Sequence, residues 1–107
     1  MIPDFIAPAV EADLYEAVEA LARESETAAS AFREAALRTM RLVVDHPVTG
    51  DQRPELAPDP YRFRRIEEFP YLVVYDPAHT PPLVLRVLHV EHGFPPLLAR
   101  LADRPEP

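Results

Sequence analysis

The runs YLVVYDP (71–77) and LVLRVLHV (83–90) constrain this chain more than any other stretch. β-Branched and aromatic residues dominate both, and a short polar turn joins them, which predicts an antiparallel pair of strands. Side chains alternate across a strand, so Leu72 and Val74 oppose Tyr71, Val73 and Tyr75. In the second run Leu83, Leu85, Val87 and His89 oppose Val84, Arg86, Leu88 and Val90. Both faces are apolar, and each needs a cover.

The preceding sequence supplies one cover. Pro8 suits the first turn of a helix, where its missing amide proton is not needed. From there to residue 24, Val10, Leu14, Val18 and Leu21 recur every three or four positions, as in an amphipathic helix. Ser25 is placed to cap a second helix over 26–45, with Phe32, Ala36, Met40 and Val43 on one face. The short link makes the two an antiparallel hairpin. Residues 2–7 predict a short first strand, 61–68 (YRFRRIEE) another, and 95–102 (PPLLARLA) a terminal helix. Residues 46–60 hold four prolines and read as a connecting loop. The result is one α+β domain over 1–107. Its helices cover one sheet face, and the other awaits a partner or the C-terminal segment.

Charge and composition narrow the function. Eighteen acidic residues against 11 basic ones give a net charge of −7, which repels phosphate backbones and argues against sequence-specific nucleic-acid binding by the chain alone. All 11 basic residues are arginines, planar donors suited to paired hydrogen bonds with carboxylates. There is no cysteine, so disulfides and thiolate chemistry are excluded. No apolar run approaches the ~18 residues that span a bilayer, and no leader is seen, so a soluble cytoplasmic protein without membrane partners is expected. No cofactor motif is present.

Several residues invite a chemical reading. Arg86 stands in an apolar strand, where a charge must be paired or partly wet. It either forms a structural ion pair with a carboxylate such as Glu67 or Glu68 on a neighbouring strand or presents its guanidinium to a partner. In YRFRR, Arg62 and Arg64 share one face and Arg65 takes the other, and Tyr61 and Phe63 are interleaved. That pattern suits stacking on single-stranded nucleic acid, but a solvated or internally paired strand is the more economical reading. His89 and His92 are three apart at a strand end and splay from each other, and no third ligand is evident, so zinc is not expected.

In order, FIAPAVEADL, TGDQRPEL, FPYLVVYDP and above all VLRVLHVEHGFPPLL resemble the RelE/ParE superfamily of type II toxin–antitoxin toxins, closest to the ParE (plasmid stabilisation) toxins. The resemblance covers nearly the whole chain and implies a β-α-α-β-β-β fold. It implies a toxin neutralised by a cognate antitoxin and, in ParE members, acting on DNA gyrase. The antitoxin- or target-binding residues expected on this basis are Arg62, Arg64, Arg65, Tyr75, Arg86, Leu88, His89, His92 and Phe94. RelE members instead cleave mRNA on the ribosome. Their basic positions fall here on Phe63, Arg65, Leu72 and His92, and their C-terminal tyrosine falls near Leu98. A nuclease reading would rest on Arg65, Arg86 and His92 as catalytic residues, which is too few, so an enzyme is not the leading expectation. A degenerate, non-toxic interaction module is a third reading. ParE-like chains commonly read LHGARDLP where this one has LHVEHGFP, so that His92 replaces an arginine. Ala7 stands where the resemblance leads one to expect a capping serine.

Overall fold

The computed structural model describes residues 5–90. Two helices, α1 (Pro8–Ala22) and α2 (Glu26–Asp45), are followed by a short 3-10 turn (Pro47–Thr49) and three strands, β1 (Arg62–Arg65), β2 (Tyr71–Asp76) and β3 (Leu83–His89). The strands form an antiparallel sheet in the order β1-β2-β3. The anticipated first strand reduces, among the described residues, to a parallel bridge between Ile6 and Val84. There the Val84 amide donates to the Phe5 carbonyl and the Ala7 amide to the Val84 carbonyl, both at 2.8 Å. The terminal helix anticipated over 95–102 lies outside the described residues.

Helix boundaries follow local chemistry. Pro8 opens α1, and Ala7 before it gives no side-chain cap. Ser25 caps α2, its Oγ accepting the Ala28 amide at 3.1 Å. α2 buries Phe32, Ala36, Met40 and Val43, and the buried Thr39 hydroxyl is satisfied by the Ala35 carbonyl at 2.8 Å. Small residues at 17, 29, 35 and 36 are buried too and suit close packing of the hairpin.

The helices cover one face of the sheet. Val10, Phe32, Met40 and Val43 meet Ile66, Tyr71, Val73, Tyr75, Val84 and Val87 in one core. Phe32 is central, with Tyr71 and Phe69 rings at 4.9 and 5.2 Å. The C-terminal segment expected as one possible cover for the other face lies outside the described residues. That face gathers Phe63, Leu72, Val74, Leu85 and Leu88. These side chains are already buried, and Leu56, Ala57 and Tyr61 of the loop before β1 pack with them. The loop is therefore not mere connection. Asp51 bridges Phe63 and brings the loop chain along β1.

The alternation read for the last strand also needs correction. Val74 pairs with Arg86 but Tyr75 pairs with Val84, which leaves Leu85 as an extra residue in a β-bulge. A bulge shifts the parity of everything beyond it. Val84 and Val87 thus join the helix-side core, whereas Leu85 and Leu88 join the other.

Candidate functional site

Arg86 stands at the bulge, and its partner is neither Glu67 nor Glu68. Its Nε and Nη2 donate to the two carboxylate oxygens of Asp13 in α1, at 2.7 and 2.8 Å. Asp13 Oδ2 also accepts the Val87 amide at 2.9 Å. One carboxylate thus pairs the guanidinium and closes part of the outer edge of β3. The hydrogen bonds to Asp13 raise the Arg86 pKa above its ordinary value, against the opposing effect of burial. Glu67 and Glu68 fail as partners because β2 lies between β1 and β3.

YRFRR divides as its alternation requires. Arg62 donates to the Gly50 carbonyl at 2.8 Å, and Arg64 reaches the Thr49 carbonyl and hydroxyl at 3.4 Å each. Both arginines therefore brace the segment entering the loop. Beside them Tyr75 is fully buried, accepting the Gly50 amide at 2.9 Å and donating to the Pro47 carbonyl at 2.6 Å. Burial raises the Tyr75 pKa, partly opposed by the Gly50 hydrogen bond. Tyr75 is fully buried and Leu88 is 9% exposed, so of the residues expected to bind a partner these two lie within the fold.

Arg65 takes the other face and is exposed. It lines a cavity of about 330 Å³ with Asp51, Arg53, Leu56, Phe63, Leu72 and Val90. Arg65 is legible through its parity within YRFRR, whereas Asp51, Arg53 and Leu56 come from an aperiodic stretch that carries no such signal. His89 packs edge-on against Tyr71, ring centroids 5.1 Å apart, and so lies toward the helix-side core. His92 and Phe94 lie outside the described residues. Among the described residues no group of three or more His, Cys, Asp or Glu side chains could hold a metal ion.

Phe63, Arg65 and Leu72, on which the resemblance to RelE members would place basic residues, line this same cavity. Only Arg65 is basic there, and the loop adds Arg53, whose Nε is held by Glu55 at 2.7 Å. Cleaving a phosphodiester through a 2′-hydroxyl needs a base, a stabiliser of phosphate charge and an acid for the leaving group. Asp51 and the two guanidiniums supply a carboxylate and fixed positive charge. A guanidinium does not yield a proton near neutrality, so Arg53 and Arg65 are suited to holding negative charge rather than to proton transfer.

No described helix is long and apolar enough to cross a membrane. Among curated proteins no relative matches the chain. The family model described as "ParE toxin of type II toxin-antitoxin system, parDE" matches residues 5–93. That span holds both helices, all three strands, the Asp13–Arg86 pair and the cavity, and the chain belongs to the ParE toxin family of type II toxin–antitoxin systems.

Proposed function

We propose that this protein is the toxin of a type II module, held silent by a cognate antitoxin, and that once released it inhibits DNA gyrase by binding. The observation that carries the reading is family membership across residues 5–93. A toxin of this class implies an antitoxin partner, and gyrase is the target that the ParE resemblance implies. The cavity supports binding over catalysis, since Phe63 and Leu72 occupy positions where nuclease relatives carry basic groups. The protein would act in the cytoplasm, where gyrase and the antitoxin are.

Expression in cells with and without the adjoining gene tests this reading. Growth arrest without the neighbour, rescue by it, and relaxed plasmid DNA with intact mRNA are the expected results. Codon-positioned mRNA cleavage on ribosomes would replace the reading with the nuclease one, and harmless expression would favour a non-toxic interaction module.

A further inference from the structure

The solvent-facing sides of the two helices carry one pattern in opposite signs. Among the described residues the exposed large apolar side chains are Tyr15 of α1, Leu37 of α2 and Val48 of the 3-10 turn, at 69, 54 and 79% exposure. Residues four apart share a helix face. Tyr15 is flanked at that spacing by Glu11 and Glu19, and Leu37 by Arg33 and Arg41, and all four charges are exposed. Val10 and Ala17, and Phe32 and Ala35, lie on the opposite sides of these helices and are buried in the core. Neither stripe therefore has a part in the packing of its own chain.

The charges of the stripes are also lightly held. Among the described residues no carboxylate stands within ion-pair distance of Arg33 or Arg41, although Asp45 lies four residues on from Arg41. Glu19 meets only Arg23, at 3.4 Å and largely exposed, a kind of pair that contributes little. Glu34 and Arg38, exposed beside the α2 stripe, offset each other. A lone exposed tyrosine or leucine would mean little. Here the spacing is matched and the signs are opposed, so one helix hairpin holds both halves of a complementary contact. A second copy of the chain satisfies both halves at once, as a two-fold contact requires.

We propose that two copies of this chain associate through the outer faces of their helix hairpins, α1 of each lying antiparallel on α2 of the other. Glu11 then stands beside Arg41, Tyr15 against Leu37, and Glu19 beside Arg33. A two-fold axis running along the hairpin makes this contact twice, with the apolar pair inside and an ion pair at either end. Each carboxylate meets a guanidinium suited to paired hydrogen bonds. The association holds whether or not the antitoxin reading does.

The net charge of −7 on each copy opposes association, so the test is made at about 0.15 M salt, where charges more than about 8 Å apart are largely screened. Sedimentation velocity of the full chain is expected to give a monomer at about 1 μM and a dimer at about 300 μM, as suits a small interface. Glu11→Arg with Glu19→Arg, and separately Arg33→Glu with Arg41→Glu, each weaken the dimer about tenfold or more. The first double reversal makes the chain less acidic and the second more acidic, so loss in both does not follow from net charge. An equimolar mixture of the two variants restores the dimer, because every α1 then meets an α2 of opposite sign. Circular dichroism of both variants is expected to match the wild type, since all four positions are exposed. A monomeric mass at the upper concentration overturns the proposal. So does a wild-type dimer that either double reversal leaves intact, or a pair of folded variants that stay monomeric when mixed.

Discussion

Asp13 of α1 and Arg86 of β3, 73 positions apart, form a two-pronged ion pair that joins the helix hairpin to the last strand. The Asp13 side chain is only 9% exposed and that of Arg86 24%, so the pair is screened less than a surface one. Removing Asp13 leaves both the guanidinium and the Val87 amide without their partner. Asp13→Ala is expected to lower unfolding free energy by about 2–3 kcal/mol in urea titrations. A loss below about 0.5 kcal/mol would show that water replaces the carboxylate. The pair with Arg86→Ala gives a double-mutant cycle, whose coupling is expected at about 1–3 kcal/mol.

Tyr75 ties the core to the loop entry. Tyr75→Phe removes bonds to both Pro47 and Gly50 and should cost about 1–2 kcal/mol near neutral pH. Its raised pKa means that the folded state holds the phenolic proton more tightly than the unfolded state does. This contribution is therefore fully present below the unfolded value of about 10 and is lost as pH rises through the folded value. Urea midpoints measured at alkaline pH should fall for wild type, and less steeply for Tyr75→Phe.

Gly50 leaves no room for a side chain. A Cβ there would lie 2.5 Å from the Tyr75 hydroxyl oxygen and 2.9 Å from the Phe63 carbonyl oxygen. Gly50→Ala should destabilise by about 1–3 kcal/mol. Adding Tyr75→Phe should not restore stability, because the backbone contact persists. Thermal melts of the two variants and their combination check this.

Much of this architecture was legible from local signals. Val10, Leu14, Val18 and Leu21 mark α1, Ser25 marks the start of α2, and the parity of Leu72 and Val74 gives the two faces of β2 correctly. What stayed hidden was set by tertiary contact. The bulge at Leu85 leaves no compositional trace, and it mixed the two faces assigned to β3. The partner of Arg86 depends on strand order and on where α1 crosses, neither of which is encoded near Arg86. The cavity was half legible, through Arg65, because a loop without periodicity supplies the rest.

Glu68 adopts φ 68° in the turn between β1 and β2. This left-handed conformation costs a non-glycine residue roughly 1 kcal/mol. Glu68→Gly should therefore raise stability, by up to about 1 kcal/mol after the entropy of glycine is set against it. Urea midpoints decide it, and a clear loss would mean that the Glu68 side chain contributes more than its backbone costs.

Gyrase supercoiling by the purified proteins tests the central claim most directly. Adding this protein should block the introduction of supercoils by gyrase, and prior addition of the antitoxin should abolish the block. Unimpaired supercoiling at saturating protein, together with cleavage of mRNA in translating extracts, would contradict the account.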